Sequence, residues 1–309
     1  MTPVAETPTP PPLAWQEDFL QRHQLGADYL VTARMWFDPL VDRLCLHRKS
    51  AGEPFVVGIN GCQGSGKTTL VDYLACALEA YGGLHCVSLS LDDFYLTRAE
   101  REVLARDVHP LFATRGVPGT HDMPLMLSCL QRLKARGEFT VQHALRLPRF
   151  DKASDDRCPA AQWAEVSEAV DIVLFEGWCL GVEAQPEEAL VQAVNALERD
   201  EDPDGVWRRA VNTVLARDFP PVYALVDEWL MLQAPSFACV QRWRQEQEDK
   251  LRQRLGSEDL GRSMSPAQVT RFIQHYQRLT EWSLATLPER ASTVFRLDGQ
   301  RQIQAGGAR

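Results

Sequence analysis

The chain has 309 residues, 45% hydrophobic and 24% charged, enough for one large α/β domain or two small ones around a substantial core. Its net charge of −9 argues against a general nucleic-acid binder, which would usually be basic. No apolar run approaches the ~20 residues that span a membrane, and the opening MTPVAETPTPPPLAW lacks the basic-then-apolar pattern of a secretory signal.

In chain order, the prolines of residues 1–15 predict a disordered or polyproline-like tail. Residues 16–50 form a helical extension, with Phe19, Tyr29, Ala33, Phe37, Leu40 and Leu44 recurring at helical spacing and Pro39 placed to kink or break it. The remainder, 51–309, reads as one α/β domain. Phe55–Asn60 reads as a buried strand. Gly61-Cys62-Gln63-Gly64-Ser65-Gly66-Lys67-Thr68 then matches G-x-x-x-x-G-K-[ST], followed by Thr69 and a helical apolar pattern at Leu70, Leu74, Ala77 and Leu78. Glycines let this backbone approach a phosphate, and amide N–H groups at the helix start point toward it. Lys67 can reach the β- and γ-phosphates, and the Thr68 hydroxyl can ligate Mg²⁺.

His85–Leu91 is a second strand, ending in Asp92-Asp93-Phe94-Tyr95. Thr97 and Glu100 form a capping box for a helix over 97–106. Arg115–Asp122 is turn-rich, and a helix runs on to about Arg136. Residues 140–148 suggest a short added strand. Ala169–Phe175 is a third core strand, ending in Glu176. Pro186–Arg199 and Val206–Arg217 read as helices, Val222–Leu232 as a fourth strand, Ser236–Leu255 as a charged helix, Ser265–Leu287 as an amphipathic one and Thr293–Leu297 as a fifth strand. The tail after Gly299 should fray. Eight cysteines show neither C-x-x-C nor zinc spacing, and most sit in apolar runs, as buried free thiols do in a reducing cytoplasm.

Alternating strands and helices predict a parallel sheet with right-handed crossovers, and ligands then sit beyond the carboxyl ends of its strands. The phosphate loop, Asp92-Asp93 and Glu176 all fall there. A carboxylate at 92 or 93 could take a proton from a substrate hydroxyl, and Glu176 could support Mg²⁺. Arg115, His121, Asp122, Arg149, Lys152 and Arg157 form a polar group in loops suited to an anionic acceptor. The helix from Ser236 could be a lid bringing Arg242 or Arg244 to the transferring phosphoryl group. Trp178, Trp229 and Trp243 could stack a base, but read first as core residues.

The phosphate loop, Ser90-Leu91-Asp92-Asp93-Phe94-Tyr95 and Leu174-Phe175-Glu176-Gly177 together resemble the phosphoribulokinase, uridine kinase and pantothenate kinase superfamily. Arg115-Gly116-x-Pro118-Gly119-Thr120-His121-Asp122, Pro148-Arg149-Phe150-Asp151-Lys152, Asp156-Arg157 and Trp243-Arg244-x-x-Gln247-Glu248 look more narrowly like plant-type D-glycerate 3-kinases and their kinase-like relatives. The resemblance covers about Phe55 to Leu297. It implies a P-loop kinase fold with a five-stranded parallel sheet, order 2-3-1-4-5, helices on both faces and a helical lid. It also implies ATP and Mg²⁺ as cofactors and a small-molecule hydroxyl substrate, with glycerate first and a nucleoside or pantothenate-like acceptor second. Asp92 maps to the base, Lys67 and Arg244 to phosphoryl charge, Thr68, Asp92 and Glu176 to the metal. Asp93, Tyr95, Arg115, His121, Asp122, Arg149 and Arg157 map to the acceptor. Phe150 departs from a tyrosine common in relatives. A nucleotide-binding regulatory protein with little turnover is the rival of another class; a GTPase switch is weaker, since Asn-Lys-x-Asp is absent and Phe175-Glu176-Gly177 is not the D-x-x-G of a switch.

Overall fold

The computed structural model describes residues 11–50, 52–135, 139, 143–255 and 264–304. Residues 1–10 of the tail expected over 1–15, Arg136, the start of the strand expected at 140 and the last five residues lie outside them; Ala14 and Trp15 of that expected tail instead begin a helix. The N-terminal extension is three helices, α1 (Ala14–His23), α2 (Asp28–Trp36) and α3 (Asp38–Ser50). Gln24 in the left-handed region ends the first, and Pro39 stands in the first turn of α3, where its missing N–H costs no bond. Phe19, Tyr29 and Phe37 surround Tyr73 of the next helix at ring distances of 5.4, 6.1 and 5.8 Å, and the Tyr73 hydroxyl donates to Asp38 at 2.7 Å.

β1 (Phe55–Gly61), α4 (Lys67–Gly82) and β2 (Cys86–Ser90) follow. After α5 (Arg98–Asp107) and α6 (Met123–Lys134) come four short strands: β3 (Leu145–Leu147), β4 (Phe150–Asp151), β5 (Asp156–Arg157) and β6 (Ala164–Val166). These pair as two small antiparallel ribbons, β3 with β6 and β4 with β5. The chain continues through β7 (Ile172–Gly177), α7 (Ala196–Glu201), α8 (Val206–Asp218), α9 (Pro220–Tyr223), β8 (Glu228–Gln233), α10 (Phe237–Leu255), α11 (Pro266–Thr286) and β9 (Thr293–Arg296). The main sheet is five parallel strands ordered β2-β7-β1-β8-β9. Val56, Val57, Ile59 and Ile172 to Phe175 are fully buried, as in a parallel sheet covered on both faces. The register pairs Ile59 and Ser90 with Glu176, so β1, β2 and β7 end at one edge. Among the described residues no helix is long and apolar enough to cross a membrane.

Three expectations need correction. The helix expected at 186–199 is a 3₁₀ turn (Glu187–Leu190) and the short α7. Arg278 of α11 donates to the Ala189 and Gln192 carbonyls and pairs with buried Glu198 at 2.6 Å, taking acceptors a helix would have used. The strand expected from Val222 begins at Glu228, because Pro220-Pro221 starts α9 instead. Residues after Gly299 do not fray as far as 304: Ile303 bridges back to Leu297. Of the eight cysteines, all free, Cys62, Cys129 and Cys179 are buried and the other five are half-buried.

Candidate active site

The loop from β1 into α4 owes its path to two glycines. Gly64 has φ +76 and Gly66 φ +92, a region that disfavours any side chain. A Cβ on Gly64 would also fall 2.9 Å from Trp243 Cβ. The loop delivers the positive end of α4 to the sheet edge. Lys67 Nζ lies 3.4 Å from the Cys62 carbonyl and 3.8 Å from the Glu176 carboxylate. Among the described residues, Ser65 Oγ and Gln63 Oε1 are buried with no protein partner.

Across the loop stand the acids. Ser90 Oγ donates to Glu176 at 2.8 Å. Asp92 accepts from the Tyr95 hydroxyl at 2.8 Å and from Lys152 at 2.5 Å. Burial pushes the Asp92 carboxyl up, but Lys152, the Tyr95 bond and Lys67 outweigh it and hold it below the usual carboxylate range. Asp93 faces the other way. It accepts from Arg149 at 2.9 Å and the Phe150 amide at 3.2 Å, and burial raises it despite those partners.

Lys67, Thr68, Asp92, Tyr95, Arg115, Lys152, Glu176 and Arg244 therefore line one cleft of about 480 Å³, together with Gln63, Gly64, Gly66 and Thr69 of the loop. Asp93, His121, Asp122, Arg149 and Arg157 do not line it. Arg157 spends its fork on the Tyr95 carbonyl at 2.8 Å and on Asp122 at 3.1 Å, while Asp122 caps α6 through the Leu125 amide. His121 is buried behind Tyr95, ring on ring at 4.7 Å. These residues hold the β4–β5 ribbon and its Lys152 over the cleft. Arg115 pairs with Asp155, which buried Arg101 also grips, and its guanidinium lies 5.3 Å above the Phe150 ring. Phe150 is thus a platform for a cleft cation.

Arg244 pairs with buried Glu248 at 2.8 Å and sits 5.5 Å over Phe272. Arg242 turns away, to the Gly299 carbonyl. Trp178 and Trp243 are buried and Trp229 is half-buried against Gly58. The sequence reading missed Tyr276 and Phe272 of α11, which close the cleft, and Ser90; helical spacing alone marked the first two as core. It also missed Arg301, which lies near Trp243 and the loop (Arg301 Nε to Gly64 O, 2.7 Å). A second cleft, about 390 Å³, meets the loop at Ser65, Gly66 and Thr69 and is walled by Tyr29, Leu297 and Arg301.

Among the described residues no group of three His, Cys, Asp or Glu forms a ready metal cage. Thr68, Asp92 and Glu176 instead offer separate oxygen donors in one cleft. That set fits Mg²⁺, which takes few protein oxygens and keeps waters and phosphate oxygens.

No family model matches the chain. It is 34% identical over 249 residues to the uncharacterized kinase mug58 of Schizosaccharomyces pombe, covering 77% of this chain and 84% of that one. It is 30% identical over 274 residues to the chloroplastic D-glycerate 3-kinase of Arabidopsis thaliana, covering 84% of this chain but only 54% of the plant protein. Among solved structures it superposes on D-glycerate 3-kinase from Cryptococcus neoformans with a TM-score of 0.74 and 28% identity, over 92% of this chain and 99% of that one. A phosphate loop at the head of a parallel sheet, shared with these relatives over most of the chain, means that the protein belongs to the P-loop kinase family of mug58 and the D-glycerate 3-kinases.

Proposed function

We propose that this chain transfers the γ-phosphoryl group of ATP to a hydroxyl of a small hydroxy acid, D-glycerate first. The observation that supports it is one cleft where Lys67 and Thr68 face Asp92, with Arg115, Lys152 and Arg244 on its walls. These cations are more than a neutral acceptor needs, and they suit one carrying a carboxylate. The two relatives named D-glycerate 3-kinase point the same way.

In this reading the phosphate loop cradles the triphosphate, and the apolar cleft beside Tyr29 and Leu297 takes the adenine. The N-terminal helices then form part of the nucleotide site. Thr68, Asp92 and Glu176 hold Mg²⁺, which when bound neutralises phosphate charge. Asp92 aligns the acceptor hydroxyl and receives its proton as the bond to phosphorus forms. Lys67 and Arg244 offset charge on the equatorial oxygens. Arg115 and Lys152 hold the acceptor carboxylate. Because phosphoryl transfer demands little of a base, positioning by the low-pKa Asp92 is sufficient.

The test is ADP release with ATP·Mg²⁺ and either D-glycerate or uridine, side by side. Turnover of glycerate well above uridine is expected. Turnover of uridine alone overturns the acceptor, and ATP binding without turnover across small hydroxy acids and nucleosides overturns the catalytic reading.

A further inference from the structure

Phe272 and Tyr276 lie one turn apart on the same face of α11, with ring centroids 5.1 Å apart. Both line the cleft, and each meets a different cation of it. The Phe272 ring lies 5.5 Å from the Arg244 guanidinium, which also pairs with Glu248 at 2.8 Å. The Tyr276 hydroxyl donates to the Arg115 carbonyl at 3.0 Å. Trp178 braces that second contact. Its indole N–H donates to the Gly116 carbonyl at 3.0 Å, and its ring meets Tyr276 edge-on at 4.9 Å. The fit is close: Gly116 has φ +140, and a Cβ on it would fall 2.3 Å from the Tyr276 hydroxyl oxygen. Arg115 is therefore held at its carbonyl by Tyr276 and at its guanidinium by Asp155. Arg115 lies in a loop and Arg244 on α10, and α11 touches both.

With the roles of Arg115 and Arg244 taken from the proposed function, we propose that Phe272 and Tyr276 are positioning residues that set the spacing of these two cations. Tyr276 places Arg115 for the acceptor carboxylate, and Phe272 places Arg244 for the transferring phosphoryl group. In-line transfer needs the reacting atoms held about 3–3.5 Å apart, and a misplacement of about 1 Å can cost 10²-fold. Two rings on one helix are a stiff link between a loop and α10, and they fix that separation from behind the substrates. The two contacts differ in kind, so they fail differently. Loss of the Tyr276 bond loosens acceptor binding, while loss of the Phe272 ring weakens charge stabilisation in the transition state.

ADP release by the full chain with ATP·Mg²⁺ and D-glycerate tests both halves. Tyr276→Phe deletes one hydrogen bond and keeps the ring. It should raise KM for glycerate about fivefold, the value of one hydrogen bond, with kcat and KM for ATP within about twofold of the parent's. Phe272→Leu deletes the ring beside Arg244. It should lower kcat about fivefold with KM for glycerate held, and Phe272→Tyr, which keeps a ring there, should restore kcat. An unchanged KM for glycerate in Tyr276→Phe overturns the Arg115 half. An unchanged kcat in Phe272→Leu, or no recovery in Phe272→Tyr, overturns the Arg244 half. The same loss of kcat and rise of both KM values in the two variants, with a lower urea midpoint, means general damage to α11 and overturns both. A parent that phosphorylates uridine and not glycerate fails the acceptor reading and takes the Tyr276 half with it, while kcat of Phe272→Leu on uridine still decides the other. A parent that turns over neither fails the catalytic reading, and the positioning role of both rings falls with it.

Discussion

Arg301 Nε donates to the Gly64 carbonyl at 2.7 Å and joins the end of the described chain to the phosphate loop. The same guanidinium reaches Glu246 of α10 at 2.7 Å and stacks 5.0 Å from the Trp243 ring. One side chain thus couples the strap of residues that follows β9, the phosphate loop and α10. Arg301→Ala should raise KM for ATP about tenfold with a smaller effect on kcat, since a charge-assisted hydrogen bond is worth about 1.5–3 kcal/mol. Steady-state kinetics at varied ATP check it; an unchanged KM would show that the strap does not shape the loop.

Lys67→Ala should lower kcat by about 10²-fold or more, the scale of losing one preorganised charge at the transition state. Among the described residues its polar contacts are long, to the Cys62 carbonyl at 3.4 Å and Glu176 at 3.8 Å. The urea midpoint should therefore stay close to the parent's. A large drop in that midpoint would make Lys67 a structural residue instead.

Asp92→Asn keeps the side chain's shape and removes the proton acceptor. A fall in kcat of about 10²-fold is expected, with little change in nucleotide affinity. Asp93→Asn should fall less, because Asp93 only anchors Arg149 and the Phe150 amide outside the cleft. If the 93 variant proves the more damaged, the two acids have been assigned in reverse. In a pH profile of kcat the acid limb should fall no earlier than an ordinary carboxylate titrates, as Lys152, the Tyr95 bond and Lys67 outweigh the effect of burial on Asp92.

Burial pushes the pKa of both His121 and His275 down to about 4. In the unfolded chain each titrates near 6.5. Below that pH the unfolded state binds protons that the folded state refuses, so this contribution is complete above pH 6.5 and is lost as pH falls toward 4. Each histidine should cost about 2 kcal/mol of stability between pH 7 and 4.5. His275→Gln should flatten the fall in urea midpoint over that window; a fall as steep as the parent's would refute the assignment.

Cys62 sits inside the phosphate loop, yet burial pushes its thiol up to about 12 even beside Lys67. Only thiolate alkylates quickly. Peptide mapping after iodoacetamide at pH 8 should find Cys62 unmodified while half-buried thiols such as Cys158 react. Early loss of activity together with Cys62 labelling would show that the loop opens.

Much of the fold was written locally. Gly64 and Gly66 are needed because the loop turns through positive φ, and Lys67-Thr68 follows at once, so eight consecutive residues carry the motif. Apolar runs that end in Asp92 and Glu176 placed two acids at the sheet edge, since a parallel strand presents its carboxyl end there. Partner choice was not local. In sequence Arg157, Arg149 and His121 stand in the same turn-rich, polar stretches as Arg115 and Lys152, and only tertiary folding decides which face the cleft. Arg157 is drawn to Asp122 and the Tyr95 carbonyl, while Lys152 is drawn to Asp92. Arg278 breaks the expected 186–199 helix from 86 residues beyond Gln192, and Arg301 reaches Gly64 across 237 positions. Periodicity reports how a segment buries itself against something; it carries no record of what that something is. Those choices were made by packing, which brings distant donors to acceptors that their own neighbourhoods leave unsatisfied.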